Sequence, residues 1–195
     1  MAKLLFNADL AVVIWRSELL FKILAMEKII FLDIDGVLAV PSCLKDGLWA
    51  LSDEKQKLLG KILDQTQAKI VLSSSWRYAT LERTKEHMKN EGFLYNDSLI
   101  GVTIRAYQYL EKGTGIHLSI PRGVEIKQWI DTHIHSDNGK NWERKELGKD
   151  FTYVILDDDT DMLLEQKAHY LNTNSEIGLT DNMVDGAVAI LNNCI

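Results

Sequence analysis

The chain has 195 residues, 46% hydrophobic and 26% charged, with twelve glycines and two prolines. That is enough to bury a full core as one domain, and too little Gly and Pro for a long flexible linker. A formal net charge of -6 disfavours a globally basic nucleic-acid binder while leaving room for a local basic patch.

Residues 1–25 read MAKLLFNADLAVVIWRSELLFKILA. Polar residues break the apolar stretch, and its longest clean run, Leu10 to Trp15, is too short for a membrane span or a signal peptide. Leu5, Ala8, Val12, Trp15, Leu19 and Ile23 would share one face of an amphipathic helix. The other reading is a dispensable extension ahead of a natural start at Met26. The folded domain is then expected over 26–195.

Lys28 to Asp33 is an apolar run ending in an acid, as in a strand buried on both faces of a parallel sheet. After a polar loop from Ala39 to Ala50, Ser52 is placed to cap a helix running to about Thr66, with Asp53 and Glu54 in its first turn. Lys69 to Ser73 predicts a second buried strand. Thr80 opens the next helix and Gly92 closes it. A strand is expected near Leu99 to Ile104, a turn at Lys112–Gly115, and a helix over Val124 to Ile134 with Ile126, Trp129 and Ile130 on one face. Ser136 to Asp150 reads as a polar surface insertion. Phe151 to Leu156 is a third buried strand, Ala168 to Asn172 a possible fourth, and Asp181 caps a last helix with Val184, Val188 and Leu191 inward. Alternating strands and helices predict an α/β protein. The expected form is a Rossmann-like three-layer α/β/α sandwich with a mainly parallel sheet.

Cys43 and Cys194 are too few for a disulfide framework or a thiolate zinc site, which points to free thiols and a cytoplasmic location. His133 and His135, two apart, do not share a helix face and make a poor metal pair. Trp49, Trp129 and Trp142 are expected in ordinary core or surface packing.

Three strand candidates end in polar groups, Asp33, Ser73 and Asp157. Ligands of open α/β sheets bind outside the carboxyl ends of the strands, so these groups should converge on one crevice. Asp33 and Asp35 are followed by Gly36, which permits a sharp turn. Asp157, Asp158, Asp159 and Asp161 form an acidic cluster that is costly unless a cation neutralises it. Such an all-oxygen set suits Mg2+, which would let a phosphate approach a carboxylate nucleophile. For Asp159 and Asp161, capping or solvation is favoured over metal ligation.

The segment Phe31-Leu32-Asp33-Ile34-Asp35-Gly36-Val37-Leu38 resembles the first motif of the haloacid-dehalogenase phosphatases. Ser73 after Lys69-Ile70-Val71-Leu72 resembles their second motif, and Asp157-Asp158 after Val154-Ile155-Leu156 their fourth. The stretches Ile70 to Arg77, Arg122 to Ile126 with Trp129, and Ile155 to Asp159 are similar to the haloacid-dehalogenase domains of RNA-repair (Swiss Army Knife) proteins. The resemblance covers Met26 to about Leu191.

The resemblance implies a phosphatase with Mg2+ as cofactor. Asp33 is then nucleophile and metal ligand. Asp35 is general acid and then base, and binds the metal through its backbone carbonyl. Ser73 bonds the transferring phosphoryl group, and Asp157 and Asp158 hold the metal. Arg122, with Lys127 in reserve, is the third-motif cation.

Ser74, Trp76 and Arg77 are candidate substrate-binding groups. Trp76 could stack on a base and Arg77 grip a second phosphate. Trp76 in the core and Arg77 paired with a carboxylate is the equal alternative. Val37 to Gln67 and Tyr78 to Pro121, where such phosphatases insert a cap, leave no room for a large one. By analogy an open site suits a bulky phosphorylated partner such as a nucleic-acid end or a phosphoprotein. A nucleotidase-like small-molecule phosphatase and a non-catalytic Mg2+- or phosphate-binding module are the alternatives.

Overall fold

The computed structural model describes residues 26–44, 49–105, 107–109, 117–134 and 151–192. The expected N-terminal helix, the turn at Lys112–Gly115, the insertion at 136–150, and His135, Trp142 and Cys194 lie outside the described residues.

Five strands make one sheet: β1 (Glu27–Leu32), β2 (Lys69–Leu72), β3 (Leu99–Val102), β6 (Phe151–Asp157) and β7 (Tyr170–Asn172). Their order is β3-β2-β1-β6-β7, and every pairing is parallel. Ile30 of β1 sits level with Ile70 on one side and Val154 on the other. The chain builds outward from β1 to β3, then returns to the opposite side of β1 for β6 and β7. This reversal opens a crevice between the carboxyl ends of β1 and β6, where open α/β sheets bind ligands.

Alternate strand residues feed two cores. On one face Ile30, Leu32, Ile70, Leu72, Val154 and Leu156 pack with Leu59 and Ile62 of α1 (Asp53–Thr66), Met88 of α2 (Leu81–Asn90) and Val184, Ala187 and Leu191 of α4 (Asp181–Asn192). On the other, Ile29, Phe31, Val71 and Ile155 pack with Ile126 and Trp129 of α3 (Arg122–Ile134). Phe31 meets Trp129 edge-on at 5.4 Å and Tyr153 at 5.7 Å. Helices on both faces complete the expected three-layer sandwich. Val188 is only partly buried against its core.

The caps at Ser52 and Thr80 form as expected, each side chain accepting from a backbone N–H three residues on. Four details differ. The helix expected from Val124 begins at Arg122, because Asp161 Oδ2 accepts the Arg122 backbone N–H at 2.8 Å. Asp181 is the first residue of α4 rather than its cap, and it pairs with Lys61 at 2.7 Å. Residues Leu164–His169 form a 3-10 turn, so only Tyr170–Asn172 remain as strand. An antiparallel pair, β4 (Tyr107–Tyr109) with β5 (His117–Ser119), occupies a stretch for which no hairpin was foreseen. The two intervals able to house a cap otherwise hold, among the described residues, a 3-10 turn with α1, and α2 with β3.

Candidate active site

Asp33 follows the last residue of β1, and its backbone N–H donates to the Leu156 carbonyl at 3.0 Å, which extends the ladder by one bond. Its Oδ1 accepts the Ile34 N–H at 2.7 Å. The turn that follows requires Gly36, whose φ is +67°. A Cβ there would also fall inside the Asp158 carboxyl group. The glycine therefore lets the first and last acidic motifs come together. The Gly36 carbonyl accepts from the Thr173 hydroxyl at 2.8 Å, which pins the turn to the segment after β7.

Carboxylate oxygens of Asp33, Asp157 and Asp158 lie within 4.8 Å of one another. Asp157 ends β6 fully buried. Its Oδ1 accepts the Asp159 N–H at 3.0 Å, and its Oδ2 has no hydrogen-bond partner. Arg122 reaches over the pair, with its guanidinium 3.7 Å from Asp33 Oδ2 and 3.6 Å from Asp157 Oδ2. Ser73 follows β2, is fully buried, and its Oγ also has no hydrogen-bond partner. Buried polar atoms without partners are uncommon. Two of them, Ser73 Oγ and Asp157 Oδ2, lie at this one crevice and could serve a phosphoryl group and a cation.

The electrostatics agree. Burial raises the Asp33 carboxyl to about 6 against the opposing pull of Arg122. Burial first, then the Asp33 charge, raises Asp157 to about 8. Burial also raises Asp158. A divalent cation is the natural partner for such a set, since two or three hard oxygen donors with room for waters suit Mg2+. The residues present fit that ion.

Asp35 is held separately, near enough that, after burial, its charge contributes to raising Asp33 and Asp158. Its Oδ2 accepts from the Ser75 hydroxyl at 3.0 Å and its Oδ1 from the Trp76 indole N–H at 2.9 Å. The carboxylate is thus oriented by the loop after β2, apart from the three that cluster. Ser74 is buried, with its Oγ accepting the Trp76 backbone N–H at 3.3 Å.

For Arg77 the two equal expectations are a grip on a second phosphate and a pair with a carboxylate, and the structure shows the carboxylate pair. The Arg77 side chain is 4% exposed and pairs with Glu125 at 2.5 Å. It also donates to the carbonyls of Ser74, Thr103 and Ile104. These bonds commit the guanidinium to tying the Ser73–Arg77 loop to the first turn of α3. Lys127, the reserve cation, pairs with Asp131 at 3.0 Å and is nearly half exposed.

A family model described as the HAD domain in Swiss Army Knife RNA repair proteins matches residues 29–184. The chain belongs to that family. HAD abbreviates the haloacid-dehalogenase type, and the match spans β1 through the start of α4, so every site residue above lies within this HAD domain. No curated protein and no solved structure matches the chain. Among the described residues of the HAD domain, no helix is long and apolar enough to cross a membrane.

Sequence reasoning missed the Ser75 and Trp76 donors on Asp35 and Asp161 as the cap of the helix bearing Arg122, and it foresaw a carboxylate for Arg77 without identifying Glu125. The capping role foreseen for Asp161 is right, but its helix lies earlier in the chain, and no sequence spacing links the two.

Proposed function

We propose that the chain is a Mg2+-dependent phosphomonoesterase that forms an aspartyl-phosphate on Asp33, with the terminal phosphate of a polynucleotide as its favoured substrate. The observation that carries this reading is the buried Asp33–Asp157 pair under Arg122, beside the unpartnered Ser73 hydroxyl. In this reading Asp33, Asp157, Asp158 and the Asp35 carbonyl hold Mg2+. Held there, the cation would supply positive charge that offsets the carboxylates and the phosphate, so that two anions could meet.

An Asp33 oxygen attacks phosphorus, and the bond from phosphorus to the ester oxygen breaks. Asp35 gives its proton to the departing oxygen. The Ser75 hydroxyl can serve both states of Asp35, because a hydroxyl donates to the carboxylate and accepts from the acid. Asp35 then takes a proton from water, whose oxygen attacks the aspartyl-phosphate. Phosphate leaves and the Asp33 carboxylate returns. Ser73 and Arg122 stabilise charge on the phosphoryl oxygens in both steps.

The substrate class is supported by the description of the family and by short elements where a closing cap would stand. Residues 26–195 are taken as the catalytic unit in the cytoplasm, with 1–25 as an extension. A chain starting at Met26 that keeps full activity would support that boundary.

The test is phosphate release from an aryl phosphate with and without Mg2+. Activity should require the metal and vanish in Asp33→Asn. Activity that survives in Asp33→Asn removes the central claim. A folded wild type that binds Mg2+ but releases no phosphate from the aryl ester or from phosphorylated oligonucleotides would favour a binding module.

A further inference from the structure

A groove of about 720 Å3 starts at Ser75 and Trp76, the two partners of Asp35, and runs toward the β3 edge of the sheet. Its volume lies in the range of clefts that hold small ligands, roughly 300–1,000 Å3. One wall is aromatic. Trp76 and Tyr78 both pack on His87, at 5.8 and 5.2 Å between ring centres, and Tyr78 is 49% exposed. The other wall is Thr103 to Arg105, where Ile104 is half exposed and the exposed Arg105 donates one guanidinium N–H to the Ser75 carbonyl. Tyr78 and His87 continue into a second hollow of about 270 Å3 shared with Arg83 and Glu86.

We propose that this groove is a nucleotide subsite of the same active site. The base nearest the terminal phosphate stacks on Tyr78 and on the Trp76–His87 wall, and the next backbone phosphate meets Arg105. The proposal rests on the phosphatase reading for where the terminal phosphate lies.

The chemistry of the lining selects the occupant. Flat rings beside one cation suit a base and a phosphate. A bare sugar phosphate would need a set of polar groups for its hydroxyls. Here the Trp76 indole N–H and the Ser75 hydroxyl are already engaged by Asp35, and the guanidinium of Arg77 is sealed beneath. Stacking is tolerant of base identity, so the groove should accept any single-stranded sequence. With Arg105 at the rim and Arg83 in the hollow beyond, among the described residues, and a chain charge of -6, affinity should depend only shallowly on salt, as for one or two phosphate contacts.

The probe is a fluorescein-labelled tetraribonucleotide bearing a terminal phosphate, bound to the full chain carrying Asp33→Asn in Mg2+ and read by anisotropy. An abasic ribose-phosphate chain of the same length and charge is the comparison. The base-bearing probe should bind at least about tenfold tighter, within the range that stacking supplies per base. Tyr78→Ala, folded by circular dichroism, should bring the two probes together, and Arg105→Ala should flatten the salt dependence. Equal affinity for both probes would overturn the proposal, as would a folded Tyr78→Ala that keeps the preference. A phosphoserine peptide that binds as tightly as the RNA would assign the groove to phosphoproteins and overturn it too. None of these readings needs turnover, whereas failure of the phosphatase reading shows as absent Mg2+-dependent phosphate release by the wild type.

Discussion

Removing the Glu125 carboxylate should unfold the site before it touches the chemistry. Arg77 and Glu125 form an ion pair whose side chains are 4% and 6% exposed. Three backbone carbonyls take further Arg77 donors, so the guanidinium cannot swing out to water without breaking them. In Glu125→Ala the cation stays buried and loses its counter-charge. Breaking a buried pair from one side costs about 3–5 kcal/mol. At about 2–4 °C per kcal/mol for a chain of this size, Tm should fall by about 6–20 °C. The double variant Arg77→Met/Glu125→Leu removes both charges and should recover part of the loss, because no unpaired charge stays buried, although three backbone carbonyls lose their Arg77 donors. The assay is urea unfolding of wild type, both single variants and the double variant. A Glu125→Ala cost below about 1 kcal/mol, the range of a surface pair, would refute the assignment of Arg77 to structure and return it to the substrate site.

Three further outcomes follow from the same geometry. A hundredfold excess of Mg2+ over its Kd should stabilise the protein by about 2.7 kcal/mol. Asp157→Asn should abolish that shift in thermal denaturation, because it removes a buried carboxylate of the proposed metal set. Metal-free protein should lose stability as pH rises. Asp33 and Asp157 keep their protons to about 6 and about 8 in the fold but release them near 3.8 when unfolded. The folded state therefore binds more protons between those values, and the contribution is complete only below the unfolded value. Denaturant titrations from pH 5 to 9 should show this decline and its flattening by Mg2+. Gly36→Ala should cost at least about 1–2 kcal/mol from its left-handed backbone alone, and it should also weaken Mg2+ binding by displacing Asp158, which calorimetry can read.

The sheet was legible because apolar runs such as Lys28–Leu32 and Phe151–Leu156 can only be satisfied by burial on both faces. Both caps were legible because a side-chain oxygen three residues ahead of an N–H is a local signal. The convergence of Asp33, Ser73 and Asp157 was readable for a topological reason, since all three end adjacent parallel strands. The partners of Asp35, and which carboxylate would take Arg77, were not. Whether Trp76 turns its N–H toward Asp35, and whether Arg77 turns inward to Glu125, depends on the path of a loop and the placing of a helix some 48 residues away. The β4–β5 pair escaped for a related reason: its strands are three residues each, too short for periodicity to register.

The central claim is a covalent bond between phosphorus and Asp33, and trapping it is the most direct test. In the proposed mechanism Asp35 is acid in the first step and base in the second. The leaving group of an aryl ester departs without a proton, so with that substrate Asp35→Asn should still form the aspartyl-phosphate but hydrolyse it slowly. The phosphoryl group should therefore accumulate on the protein. We would mix that variant with an aryl phosphate and Mg2+, quench in acid and map the modified peptide by mass spectrometry. The account predicts one phosphoryl group on Asp33, absent from the Asp33→Asn/Asp35→Asn double variant. A phosphoryl group on another residue, or steady hydrolysis by an Asp33→Asn protein that never becomes labelled, would contradict it.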